Sequence, residues 1–200
     1  LYIADTGEMR ALDASSRSSY TSDASSLRAQ GLHEVPQTGI HSVTVPGAVH
    51  GWETLLEEYG TRTLGDLLAP AIRYAEEGFP VSSFTSHEWH NLEDKLRKNE
   101  EAAAGYLVDD RAPRPGEIFR QLDLSRTLRG IADGGAEFFY RGEVAEKCVR
   151  CSRKLGGTFT MRDFETHVSE WVDPIHISYR GHEVYQLPPA TQGFVTLQML

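Results

Sequence analysis

Short strand-like apolar runs stand at both ends of this chain, and apolar residues recur with helical spacing through the long middle. That segregation restricts the chain to a mixed α/β architecture, with strands at both ends and helices between. The last segment shows the change of period. Ile175, Ile177 and Tyr179 alternate with His176, Ser178 and Arg180, so one face of a strand is wet. The region 170–187 reads as two strands across the turn Arg180-Gly181. Pro188-Pro189 and Gly193 follow. Then Phe194, Val195, Leu197, Met199 and Leu200 read as the opening of a buried helix. No Gly, Asn or Pro closes that run, and Leu1-Tyr-Ile-Ala reads as a strand already under way. The expectation is a piece of a longer protein.

At the other end, Leu1-Tyr-Ile-Ala and Met9-Arg-Ala-Leu form a hairpin around Asp5-Thr-Gly-Glu. Residues 15–40 are rich in Ser and Gly and read as a long loop, a mobile surface segment or a functional one. His41-Ser-Val-Thr-Val reads as a short strand ending at Pro46-Gly47. A helix follows with Val49, Trp52, Leu55, Leu56 and Tyr59 on one face, closed by Gly60. The next helix turns Leu64, Leu67, Leu68, Ala71, Ile72 and Ala75 inward; Gly78 ends it, and Pro70 is positioned to kink its first turns. Residues 82–104 are polar and helical, and 105–117 are a loop. A helix over about 121–133 has Asp123 as its cap and Leu124, Leu128 and Ile131 as its apolar face. Phe138, Phe139 and Tyr140 belong to the core, and Thr160-Met-Arg-Asp163 carries a capping-box-like helix start.

Charge and motif content exclude several function classes. The net charge of −9 argues against binding nucleic acid or an anionic membrane, which needs clustered Lys and Arg. No apolar run approaches the roughly 18 residues of a membrane span. Cys148 and Cys151 form a C-x-x-C, but no second pair completes a tetrahedral zinc site. Val144, Cys148, Cys151 and Leu155 fall on one helical stripe, which predicts packed core cysteines. His87, His90 and Asp94 share a helical face with metal-compatible spacing, in a stretch polar all round that reads as solvated. His176 and His182, read on one strand face, lie roughly 20 Å apart and cannot share an ion unaided. There is no G-x-x-x-x-G-K-[ST], G-x-G-x-x-G or G-x-S-x-G, so phosphate-cradle and serine-hydrolase readings have no support.

Several segments, in order, resemble the large subunit of gamma-glutamyltranspeptidases. Val45-Pro-Gly-Ala-Val-His-Gly-Trp52 is similar to that family's V-P-G-x-V-x-G motif, and Leu67 to Val81 to its central helix. Phe119 to Leu128, Phe138-Phe-Tyr-Arg-Gly142, Gly156 to Asp163, Tyr179-Arg-Gly181 and Pro188-Pro189 continue the series across nearly the whole chain. The resemblance implies an N-terminal-nucleophile hydrolase with an αββα sandwich, here partial and joined to a large helical segment. It implies a division into 1–46 (strand-rich, with the long loop), 47–168 (mostly helical) and 169–200 (strands returning to the sandwich and the start of a helix). It also implies self-cleavage of a precursor and a nucleophilic Thr at the new N-terminus of the small subunit, beyond Leu200. The α-amine of that Thr is a weak base near neutral pH and can take its proton. The implied partners are the small-subunit portion of the same precursor, a small acidic amide substrate, and water or an amine acceptor. No cofactor and no metal are implied.

In this family an Arg of the large-subunit segment L-D-x-R-E grips the substrate α-carboxylate, a task suited to a planar guanidinium. Here Leu12-Asp-Ala-Ser-Ser-Arg17 puts Ser15 and Ser16 at the Arg and Glu positions, with Arg17 two places on. That pattern looks more like the divergent branch with L-x-G-S-G-R-A-P, which includes acylases and an oxamate amidohydrolase. Arg17 is the candidate carboxylate contact; the other reading is a solvated loop arginine. Three functions stay open: a gamma-glutamyl hydrolase or transferase on glutathione-like donors, a related acylase or amidohydrolase (oxamate-, polyglutamate- or acyl-amide-type), and an inactive scaffold homologue. Thr191 is an internal hydroxyl without a base, a poor nucleophile.

Overall fold

The computed structural model describes residues 1–200, which divide into two compact units, Leu1–Leu64 with Gly134–Leu200, and Gly65–Asp133. In the first unit β1 (Tyr2–Ile3) and β2 (Glu8–Met9) pair antiparallel as the expected hairpin. The second expected strand breaks after Met9, and β3 (Ala11–Asp13) leaves the hairpin for a distant partner. The long loop holds one short helix, α1 (Ala24–Ala29), capped by Asp23. Residues 41–45, read as a strand, form none. Ile40–Ser42 is a single 3-10 turn, and Val45 is buried without a strand partner. Its β-branched residues mimic a strand but have no ladder to join.

Helix α2 (Ala48–Tyr59) ends at Gly60 as expected, yet Val49 is buried while Trp52 and Leu55 are exposed. The glycines of the V-P-G-x-V-x-G stretch explain its position. A Cβ on Gly47 would lie 1.9 Å from the Ala14 carbonyl oxygen, and one on Gly51 2.8 Å from Ala14 Cβ. No side chain larger than hydrogen lets α2 approach the end of β3 this closely.

The second unit is mostly helical. In α3 (Leu64–Glu77), Leu68, Ile72 and Ala75 are buried, whereas Leu67 and Ala71 face solvent; Pro70 lies inside the helix. Gly78 turns the chain with φ 90°, and a Cβ there would lie 2.5 Å from Ile118. That contact seats β4 (Phe79–Pro80) against β5 (Ile118–Phe119), with Phe79 and Phe119 edge to face at 6.2 Å. The polar stretch is three short helices, α4 (Ser83–His90), α5 (Glu93–Leu96) and α6 (Glu100–Tyr106). In α7 (Leu122–Tyr140) the helix starts one residue before Asp123. That residue therefore sits in the first turn and pairs with Arg126 rather than capping. Leu128 and Ile131 are buried, Leu124 is not. The helix is interrupted at Gly135 (φ 58°, ψ −150°), where a Cβ would meet Glu53 Oε1 at 2.2 Å; that carboxylate accepts from Ala136 N at 3.1 Å.

Back in the first unit, α8 (Glu143–Lys154) corrects the cysteine reading. Its buried stripe is Ala145, Val149 and Ser152, one residue round from the expected one, and Cys151 and Leu155 are exposed. Ser152 can be buried because it is satisfied: its hydroxyl accepts from Phe159 N at 3.2 Å and its carbonyl from Gly157 N at 2.7 Å. Helix α9 (Met161–Glu165) starts where the capping box predicts. Strand β6 (Glu170–Val172) pairs antiparallel with β3, matching Ala11, Leu12 and Asp13 to Val172, Trp171 and Glu170. Strands β7 (Ile175–Tyr179) and β8 (His182–Gln186) form the expected hairpin; Arg180 and Gly181 both take positive φ, as a primed two-residue turn demands. The closing α10 (Gly193–Met199) buries Leu197, but Phe194, Val195, Met199 and Leu200 stay exposed.

Candidate functional site

The β3–β6 ladder ends at the pair Asp13 and Glu170, and the chain beyond each strand builds the walls of one cavity. It has a volume of about 270 Å³ and is lined by Asp13, Ser15, Ser16 and Arg17 from one side of the ladder and by Thr166, His167, Val168 and Glu170 from the other. Directly opposed residues of an antiparallel pair project to the same side, so both carboxylates belong to one face.

Arg17 is held in this wall. Its Nη2 donates to the Thr166 hydroxyl at 2.6 Å and to the Thr166 carbonyl at 3.1 Å. Its guanidinium carbon lies 4.2 Å from the centre of the Tyr20 ring, and that of Arg162 lies 4.8 Å from the same ring. The backbone is fixed as well: Arg17 carbonyl accepts from Val45 N at 3.3 Å. Three residues on, Tyr20 N donates to the fully buried Asp163 at 2.7 Å. Asp163 also accepts from Thr160 N at 2.7 Å and the Thr160 hydroxyl at 2.8 Å, and Ser19 Oγ lies 3.2 Å away. Burial raises the pKa of this carboxyl, but the bonds from Tyr20, Thr160 and Ser19 outweigh it and hold it below the ordinary carboxylate value. The capping box that starts α9 therefore also clamps a loop about 140 residues earlier, whose bond to Asp163 spans 143 positions.

Behind the cavity lies a cluster of three ring side chains. His167 stacks on Tyr140 at 5.1 Å, and His50 meets His167 edge on at 5.6 Å. Tyr140 donates its hydroxyl to Pro46 carbonyl at 2.7 Å and accepts from His50 N at 3.2 Å; burial pushes its phenol up. His50 Nδ1 accepts from Ser169 N at 3.1 Å, which puts the proton of the neutral ring on Nε2. His167 is 8% exposed and its Nε2 has no hydrogen-bond partner. Burial, then the nearby His50 and Arg17, push its pKa down against a bond to the Gly47 backbone, so the ring is neutral at pH 7.

The histidine groupings read from sequence separate here. His87 and His90 belong to α4 and Asp94 to α5, so the three share no continuous helical face; His90 Nδ1 pairs with Glu93 at 3.0 Å. His176 and His182 stand on different strands of the hairpin, and His176 pairs with Glu183. No group of three His, Cys, Asp or Glu side chains is arranged to hold a metal ion. Thr191 donates its hydroxyl within the turn, to Leu187 and Pro188 carbonyls at 3.1 and 3.2 Å. Among the site residues, Arg17 was legible in the sequence. Thr166, His167 and Tyr20 were not, since nothing local to them announces a partner so far along the chain.

The matched family decides the relationship. Residues 1–200 match the family described as gamma-glutamyltranspeptidase. The chain belongs to the gamma-glutamyltranspeptidase family. It is 39% identical over 172 residues to the glutathione hydrolase-like YwrD proenzyme of Bacillus subtilis (strain 168), covering 86% of this chain and 33% of that protein. It is 32% identical over 206 residues to the oxamate amidohydrolase proenzyme of Klebsiella pneumoniae, covering 100% of this chain and 39% of that protein. The crystal structure of Helicobacter pylori gamma-glutamyltranspeptidase superposes with a TM-score of 0.90 at 29% identity, covering 96% of this chain and 56% of that one. The fold class is accordingly that of the N-terminal-nucleophile hydrolases, a partial αββα sandwich with a large helical segment. The chain spans between 33% and 39% of the length of these two curated gamma-glutamyltranspeptidase relatives. No helix is long and apolar enough to cross a membrane.

Proposed function

We propose that residues 1–200 are part of the large subunit of a self-processing amidohydrolase that cleaves or transfers γ-glutamyl amides of the glutathione kind. The reacting hydroxyl is an N-terminal Thr supplied by the small-subunit part of the same precursor. Its oxygen attacks the amide carbonyl while its α-amine takes the proton; the amine product leaves with a proton, and water or an acceptor amine then opens the ester. This segment contributes the substrate clamp, with Arg17 binding the α-carboxylate.

The observation that carries the reading is Arg17 fixed in a cavity wall that it shares with Asp13 and Glu170. A cation and two carboxylates in the lining of one cavity match both charges of an α-amino-acid end, carboxylate and ammonium. The second reading, an amidohydrolase of the oxamate type, is favoured by Ser15 and Ser16 at the family's Arg and Glu positions and by the oxamate amidohydrolase relative. Oxamate carries the carboxylate but no ammonium, so the acidic pair favours the first.

The test is Arg17→Ala in the full-length, self-cleaved enzyme. KM for a γ-glutamyl substrate should rise by about 10- to 100-fold, the loss of a charge-assisted carboxylate contact, with kcat nearly unchanged. Unaltered kinetics would remove Arg17 from the site. A precursor that stays a single band on a denaturing gel after long incubation would remove the enzyme reading itself.

A further inference from the structure

We infer that Thr166 is the positioning residue for Arg17: it sets which nitrogens of the guanidinium face the substrate carboxylate, an inference that rests on the Arg17 reading above. A hydroxyl has one proton to give and two lone pairs to receive. Thr166 Oγ1 lies 2.7 Å from Arg162 carbonyl, 2.6 Å from Arg17 Nη2 and 3.2 Å from Tyr20 hydroxyl. The carbonyl can only accept, so the Thr166 proton goes there. The guanidinium can only donate, so it fills one lone pair. The Tyr20 phenol is left as the donor to the other. Every capacity of the hydroxyl is used, and each role is dictated by its partner.

The bond from Thr166 back to the carbonyl four residues earlier also fixes the side-chain torsion, which is already stiff in a β-branched residue. The hydroxyl oxygen is thus a stationary acceptor. It is anchored to the same helical turn whose Asp163 holds Tyr20 N, so one turn fixes both the loop backbone and the arginine head. The same inventory excludes Thr166 as a nucleophile, because its proton is directed at a carbonyl and no base touches it.

The consequence lies in the guanidinium. Its two edges for gripping a carboxylate by two points, Nη1 with Nη2 and Nε with Nη2, share Nη2. Thr166 engages that shared nitrogen through both its hydroxyl and its carbonyl. Both two-point edges are thereby engaged, so Arg17 meets an incoming carboxylate through a single bond from Nη1 or from Nε, with the guanidinium over the ring of Tyr20. Carboxylate recognition becomes a matter of where Thr166 holds the head, not of charge alone.

Steady-state kinetics of the full-length, self-cleaved enzyme test this. The substrates are an L-γ-glutamyl anilide with a free α-carboxylate and its α-carboxamide analogue, and the readout is the ratio of their kcat/KM values. Thr166→Val keeps the shape and removes the hydroxyl; the ratio should fall about tenfold, through KM of the carboxylate substrate, as for one lost charge-assisted bond. Thr166→Ser should restore it. An unchanged ratio, an equal loss on both substrates, or a lower KM for the carboxylate substrate would each overturn the positioning role. Arg17→Ala separates the two claims. If it abolishes the ratio while Thr166→Val does not, Thr166 alone is wrong; if it too leaves the ratio intact, the Arg17 reading falls first.

Discussion

In the unit that carries Arg17, some side-chain bonds reach across more than 100 positions; in the helical unit the Arg129–Glu76 pair spans 53, Ser86 reaches Pro113 across 27, and most others join closer neighbours. Asp163 holds Tyr20 across 143 positions, Thr166 holds Arg17 across 149, and Ser169 bonds His50 across 119. In the helical unit Arg97 bonds Glu93, Asp94 and Asp110, at most 13 positions away, and Arg111 bonds Glu117 six away. The environments differ too. Asp163 is fully buried, whereas Asp94 and Asp110 are exposed, as are Arg17 and Thr166. A long-range buried bond exists only once the fold is complete, and its loss leaves unsatisfied groups behind. A local exposed pair competes with water on nearly equal terms. The first arrangement suits a site whose geometry must be held; the second decorates a surface.

The largest break in this comparison should come from Asp163→Asn. The amide keeps the shape and one acceptor oxygen but turns its NH2 toward either Tyr20 N or Thr160 N, each of them itself a donor. We expect a loss of about 3 kcal/mol, the order of a buried hydrogen-bond network left partly unsatisfied. Urea unfolding of the protein measures it. A loss below about 1 kcal/mol, within the range of ordinary surface pairs, would mean that burial and sequence separation do not distinguish the two regions.

A smaller effect should follow from pH. The folded-state pKa of His167 lies below the ordinary value of 6.5, through burial first and then its neighbours His50 and Arg17. Below pH 6.5 the unfolded chain takes up a proton that the folded ring still refuses, so protons favour unfolding. The contribution is fully present above 6.5 and is lost as pH falls from there toward the depressed value. Melting temperatures at pH 7.5 and 5.5 should therefore differ more in the natural protein than in His167→Phe, which keeps the ring against Tyr140 but cannot titrate. An equal drop in both would assign the acid sensitivity elsewhere.

What could be read from the residues follows the same division. Local signals translate directly into structure: the capping box at Thr160 and Asp163, the Arg180-Gly181 turn, and Gly60 and Gly78 as helix stops. The motif glycines are legible as a pattern, but their cause is a close approach to Ala14 that no local rule contains. Helical spacing placed the buried stripe of α8 one residue off, because it ranks Cys above Ser. Only the fold supplies the Phe159 N–H that makes Ser152 comfortable inside. Phe194, Val195 and Met199 in α10, and Trp52, Leu55, Leu67 and Leu124, look like core by period yet are exposed. Periodicity identifies which residues can share a face, not what that face meets. Arg17 itself was visible through a family pattern; the Thr166 and Tyr20 that hold it come from opposite ends of a fold and carry no mark in sequence.

The smallest effect should come from Arg97→Ala, although Arg97 has as many hydrogen-bonded partner residues, three, as Asp163 or Thr166. Its guanidinium reaches Asp110 at 3.2 Å, Asp94 at 3.1 Å and Glu93 at 3.0 Å, and this network, led by the Ala112 N–H and followed by His90 and Arg97, lowers Glu93 to about 2. Counting bonds would make it a keystone. Exposure argues the reverse, since Asp94 and Asp110 regain water when Arg97 is cut away, and the less exposed Glu93 keeps the Ala112 N–H at 2.8 Å and His90 at 3.0 Å. No resolvable change in melting temperature is expected in ordinary salt, with at most a slight one at low ionic strength, where screening is weakest. A drop matching that of Asp163→Asn would show that the helical unit is also organised by its polar side chains, and that number of bonds outweighs burial in this protein.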